Sequence, residues 1–181
     1  MYISFGLLTV LALVIIFIAT PFKNSTNITS ATKQYRSSKH GFSINYPSNW
    51  EVLNEKGLAK LQNNFVFALV KRTPGAIFGV KIQKAEAKGV KLEEVAQALD
   101  KDLPKNFNKF SKIGQEVIAL KNQKALKYSY TFSSKSGIKT WQQLVIIPTP
   151  EKVFHLTAWT GFQETAEQKE IGKIINSFKV L

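Results

Sequence analysis

Residues able to carry chemistry are few in this chain, and their spacing argues against catalysis. There is no cysteine, and the two histidines, His40 and His155, stand far apart. A zinc site draws three or four ligands from thiols, imidazoles and carboxylates. Without thiols or a closely spaced histidine pair, none is indicated. A Ser-His-Asp arrangement would need one of these histidines as its base, and no G-x-S-x-G turn presents a serine to it. Glu93, Glu94, Asp100, Asp102, Glu164, Glu167 and Glu170 are expected on the exposed faces of two helical stretches, not as a pair flanking a cleft as glycosidase chemistry requires. Neither G-x-x-x-x-G-K nor G-x-G-x-x-G occurs to cradle a phosphate. The expectation is therefore no catalytic residue, no cofactor, no metal and no enzymatic activity.

Large aromatic side chains are the remaining candidates for contact with another molecule. Trp141, Trp159 and Phe162 cluster in the last third of the chain and could line a pocket or meet a partner, although packing a core is the commoner use of such residues. The formal net charge of +13 invites a test for nucleic-acid binding. Lys124, Lys127, Tyr128 and Tyr130 interleave basic and aromatic residues, but the aromatics recur at period two with lysine on the opposite side. That is the pattern of a half-buried strand, and no RNP-like or helix-turn-helix signature accompanies it. No nucleic-acid partner is expected.

The elements that position these residues follow from periodicity. Phe42 to Tyr46 alternates apolar and polar, Pro47-Ser48-Asn49 breaks it, and Trp50 to Leu53 resumes an extended run. Residues Phe65 to Val70 (FVFALV) are apolar on both sides, predicting a strand covered on two faces, and Ile77 to Ala85 pairs back after the Arg72-Thr73-Pro74-Gly75 turn. Leu92, Val95, Ala96, Leu99 and Leu103 form one helical stripe, which Pro104 is predicted to end or kink. From Glu116 to Trp159 the pattern is a meander of strands turning at Ser134–Gly137 and Pro148–Pro150. Ile171, Ile174, Ile175 and Phe178 mark a last helix, with Thr165 and Gln168 as a capping box. The sum is an α+β fold: a central antiparallel sheet of about six strands with helices on both faces, an αβα sandwich.

Upstream, Tyr2 to Phe22 carries no charge and is almost wholly apolar. As a helix these residues would rise roughly 31 Å, the thickness of a bilayer's hydrocarbon core. The run lacks a basic n-region and a small-residue cleavage site, so residues 1–22 read as a permanent transmembrane anchor. All 25 basic and 12 acidic residues lie beyond it. Residues 23–41 are rich in Ser, Thr and Asn and hold four basic residues and no acidic one, predicting a flexible basic tether. Residues 42–181 form one globular domain, whose excess of lysine would attract it to anionic lipid.

The segment Gly41 to Val52 (GFSINYPSNWEV) resembles the opening strand and turn of the PsbP-like family. The closing Val153–Trp159 strand (VFHLTAW), followed by a helix ending Ile174-Ile175-Asn176-Ser177-Phe178, is similar as well. The resemblance spans about residues 35–181 and rests on structural positions such as Tyr46, Pro47 and Trp50. DcrB-like envelope proteins and the yeast Ran-binding Mog protein share that fold. It implies an αβα sandwich and a non-enzymatic binding or assembly role. The expected function is that of an accessory protein, held by one span in a bacterial inner membrane, that binds a protein partner while assembling or stabilising a membrane complex. The alternative is a carrier or chaperone for a lipid or other apolar ligand. The positive-inside bias alone would keep the domain cytoplasmic. The resemblance to exported domains places it in the periplasm.

Overall fold

Tyr128, Tyr130 and Phe132 alternate with Lys127, Ser129 and Thr131 because each row faces a different layer. In the computed structural model, which describes residues 31–61, 64–85 and 89–181, two antiparallel sheets form. The larger has seven strands: β3 (Glu51–Val52), β4 (Phe67–Lys71), β5 (Ala76–Lys84), β6 (Asn108–Leu120), β7 (Gln123–Ser133), β8 (Lys139–Pro148) and β9 (Lys152–Gly161), in the spatial order β3-β4-β5-β9-β8-β7-β6. The smaller has three: β1 (Thr32–Ser37), β2 (Phe42–Pro47) and β10 (Lys179–Val180), in the order β1-β2-β10. The single sheet of about six strands expected from the sequence is thus corrected to seven plus three.

Each face of the large sheet is covered. On one, Leu69, Phe78, Val145, Phe154 and Leu156 pack against the small sheet and against Ile171, Ile174 and Ile175 of α3 (Thr165–Ser177). Phe42 at its centre stacks on Phe178, with ring centroids 5.4 Å apart. On the other, the stripe of α2 (Leu92–Asn106) meets Leu126, Tyr128, Tyr130, Leu144 and Ile146. Ala68 and Ile77 are covered there by residues of and around α1 (Glu55–Lys60). Large apolar area on two faces of one sheet drives this layering, since neither helix row could bury its stripe alone.

Three expectations are corrected. The tether predicted over 23–41 is shortened, because Thr32–Ser37 pairs along its whole length with β2. There Tyr35 stacks on Phe67 at 4.1 Å, supplying the apolar contact that anchors an otherwise polar strand. Pro104 does not end α2, which runs to Asn106. With only two helical residues beyond it, the proline removes one intrahelical bond, and Phe107 still donates to the Leu103 carbonyl. Thr165 is the first helical residue rather than the cap, and Gln168 donates instead to the Phe162 carbonyl. The apolar run 2–22 lies outside the described residues, among which no helix is long and apolar enough to cross a membrane.

Candidate functional site

Register decides what the three candidate aromatics can do together. Trp141 stands opposite Thr160, and Trp159 stands opposite Gln142. Neighbouring positions on a strand point to opposite faces, so the two tryptophans lie back to back across the sheet. Trp141 is buried in the core beneath α3. Trp159 packs on the α1 side, 6.2 Å from the Phe65 ring. Phe162, just past β9, is exposed, with the Lys139 ammonium 3.7 Å from its ring centroid. The structure does not bring the three into one pocket.

Two polar clusters among the described residues tie helices to the large sheet. Lys71, at the end of β4, donates to Glu167 at 2.8 Å and to Glu170 at 3.0 Å on α3. Trp50 Nε1 donates to the same Glu170 at 2.8 Å. Burial works to lower the Lys71 pKa, but the two carboxylates outweigh it and hold the ammonium above its ordinary value. It therefore stays charged and is no nucleophile. Glu164 is raised by burial and by Glu167 beside it. On the other face, Asp100 of α2 accepts from Tyr128 Oη at 2.6 Å and from Lys112 Nζ at 2.7 Å, tying α2 to β6 and β7. Burial and this carboxylate push the Tyr128 phenol strongly upward, so it remains a neutral donor.

His155 occupies the same face. Burial, with Lys81 nearby, pushes it down to about 4, and its buried Nε2 has no hydrogen-bond partner among the described residues. Among the described residues no group of three His, Cys, Asp or Glu side chains could hold a metal ion. A pocket of about 120 Å³ lies between the β6–β7 turn and β10, lined by Leu120, Asn122, Ile147 and Phe178 among others. That is well below the ~300 Å³ at which small-molecule sites begin.

The outstanding surface feature is β6. It is one edge of the large sheet, and it runs for 13 residues, whereas the opposite edge, β3, has only two. At about 3.4 Å per residue it presents roughly 44 Å of backbone. None of its 13 residues pairs on the outer side with another described strand, yet Ile113 and Val117 are 55% and 54% exposed. Edge strands are normally short or guarded, because unpaired N–H and C=O groups recruit another strand. Here the guards are irregularities near the start: Lys109 at φ 51° and register shifts before Ser111 and before Gly114. From Gly114 to Leu120 the ladder is regular and open.

The sequence reading missed this edge, placing the strand's start at Glu116. The shift at Lys112–Gly114 breaks the period-two signal there. The surviving clue was Val117, an apolar residue on a strand whose neighbours Gln115 and Glu116 already satisfy solvent.

Comparison with known proteins agrees with this architecture. A family model described as PsbP-like protein matches residues 12–180. The solution structure of cyanobacterial PsbP (CyanoP) from Synechocystis is similar at 13% identity, covering 88% of this chain and 98% of that one, with a TM-score of 0.64. LpqN of Mycobacterium tuberculosis, described as involved in cell envelope biogenesis, is similar at 18% identity, covering 83% and 90%, with a TM-score of 0.59. At these identities the likeness is one of fold. Among curated protein sequences none matches.

Proposed function

We propose, from the premise that this chain belongs to the PsbP-like protein family, that it is a non-enzymatic envelope protein, held to the membrane by residues 1–22, whose domain binds an extended segment of a partner protein along β6. The observation that carries this reading is the regular, open stretch of β6 from Gly114 to Leu120, with Val117 exposed upon it. Strand addition there would take affinity from main-chain hydrogen bonds and selectivity from alternate side chains. Ile113 and Val117 favour apolar residues on the partner, and Glu116, already paired with Lys127 at 2.6 Å, adds little charge preference. The envelope setting is supported by the LpqN-like fold and by the apolar run 2–22. The domain is read as periplasmic and its task as assembly or stabilisation of a membrane complex. The carrier alternative draws no support from the small pocket beside β10.

A photo-reactive residue placed in turn at each position from 108 to 120, in cells, tests the reading. Strand addition predicts one partner adduct whose yield alternates with period two from Gly114 to Leu120, where the ladder is regular, and disappears in the Ile113→Lys, Val117→Lys double variant. Yields no higher than at Val52 or Leu181, which are exposed elsewhere, would refute it.

A further inference from the structure

Strand direction sorts the loops of the large sheet into two ends. Register places the end of β9 beside the start of β8 (Gly161 opposite Thr140), the end of β7 beside Lys139, and the start of β5 beside Thr160. The β7–β8 hairpin and the β9–α3 turn therefore share one end, and the Phe162 amide donates to the Lys139 carbonyl at 3.2 Å, joining them. β3 starts at the same end, with Glu51 opposite Val70, and it follows directly on β2. Since β1 begins at Thr32 opposite Pro47, the last residue of β2, the chain enters the domain at this end too. The Ser48 amide donates to the Ala31 carbonyl at 2.7 Å, fixing the entry point.

That joined tip is amphipathic. Ile138 and Phe162 are 44% and 40% exposed; Lys135 and Lys139 flank them in the hairpin, which has no acidic residue between Ser133 and Lys139, and the carboxylate of the β9–α3 turn, Glu164, is half-buried and packs against Gly161. Apolar tips rimmed by lysine suit the bilayer interface, where rings and methyl groups enter and ammonium groups stay at headgroup level. The opposite end is also basic, through Lys121, Lys152 and Lys179, so charge alone does not choose between the ends. Reach does. From Phe22 to Ala31 are nine Cα steps, about 15–18 Å as a coil and roughly 30 Å at full stretch. β9 itself is about 30 Å long at ten residues, so the far end could touch lipid only with the connection fully drawn back along the domain.

We infer that Phe162, Ile138, Lys135 and Lys139 form a docking surface for anionic lipid, seating the domain on the membrane with its strands along the bilayer normal. This rests on the anchoring part of the proposed function and adds an orientation to it. β6 then rises from Asn108 beside the lipid to Leu120 farthest from it, which suits a partner segment that itself leaves the membrane.

The full chain contains no cysteine, so single Ser136→Cys and Asn122→Cys variants can each carry an environment-sensitive fluorophore. They are reconstituted into phosphatidylcholine–phosphatidylglycerol vesicles, with flotation measured in parallel. The Ser136 label should lose most of its emission to doxyl-lipid and be shielded from iodide, and the Asn122 label should do the reverse. Adding Ile138→Glu with Phe162→Glu should convert the first pattern into the second while the chain still floats. In floating chains, a Ser136 label that behaves like the Asn122 label, or one indifferent to the two glutamates, overturns the docking surface alone. A chain that does not float overturns the anchor and the docking surface with it.

Discussion

Replacing Lys71 by methionine keeps most of the unbranched apolar stem and removes the ammonium, with its charge and its hydrogen bonds to Glu167 and Glu170. Its side chain is 11% exposed, those of Glu167 and Glu170 are 4% and 25% exposed, and the ammonium is within 3.0 Å of both. Without it Glu167 is a buried carboxylate with two acidic neighbours and no counter-charge, and breaking such a pair costs about 3–5 kcal/mol. Protonation sets a ceiling. Neutralising an ordinary carboxyl at pH 7 costs about 1.36 × (7 − 4.3), or ~3.7 kcal/mol, so the loss at pH 7 should lie near 3–4 kcal/mol. In the variant the folded state would bind more protons than the unfolded one, so the loss must shrink as pH falls, by about 1.4 kcal/mol per unit until pH approaches 4.5. Urea unfolding at pH 7 and pH 5 reads both numbers. A second change, Glu167→Gln, should restore most of the loss. A loss under about 0.5 kcal/mol, the size of a surface pair, or one that does not vary with pH, would refute this account of the cluster.

Trp50 is 1% exposed and hydrogen-bonded to Glu170, so Trp50→Ala should cost about 3–5 kcal/mol in the same assay. A change within about 0.5 kcal/mol would show the indole to be dispensable. A Cβ on Gly79 would sit 2.5 Å from Phe65 Cε1. Gly79→Ala should therefore lose about 1–3 kcal/mol through overpacking and become close to neutral in a Phe65→Ala background; equal losses in both backgrounds would contradict the clash. For His155, the folded value near 4 lies below the unfolded 6.5. Its contribution is thus fully present above pH 6.5 and is lost as pH falls from 6.5 towards 4, a span worth about 3 kcal/mol. Thermal or urea titration of His155→Leu should show a flatter acid limb than the parent; parallel limbs would remove His155 as its cause. Glu164, displaced upward, acts in the opposite direction in both proteins and cancels in the comparison.

Where one side of an element meets the core and the other meets water, the sequence carried the answer in its periodicity. The stripe Leu92–Leu103 and the alternation Tyr128–Phe132 became α2 and β7 where expected. β1 was illegible because only Tyr35 and Ser37 turn inward and the rest of its length is solvated. α1 was illegible because none of its six residues is fully buried and Leu58 alone packs as a large apolar side chain on the Ala68–Ile77 cluster; its one local mark is Asn54, whose side chain accepts from the Gly57 amide. β6 was half legible, since the register shifts interrupt alternation where the strand is most exposed. The candidate site fared worse for a different reason. That Trp141 and Trp159 face opposite ways follows from the pairing of Trp141 with Thr160, and cross-strand register is a long-range property that no local pattern encodes. Phe162 alone among the three aromatics reaches a surface suited to contact.

Amide hydrogen exchange of β6 measures the central claim most directly. In the purified chain, the outward-facing amides between Gly114 and Leu120 have no partner among the described elements and should exchange as rapidly as solvated backbone, while their inward neighbours, bonded to β7, stay protected. In native membranes, partner binding along β6 predicts that the outward set becomes protected as well, and that the Ile113→Lys, Val117→Lys variant loses that added protection. Identical exchange of the outward amides in purified and membrane-resident protein would contradict partner binding along β6.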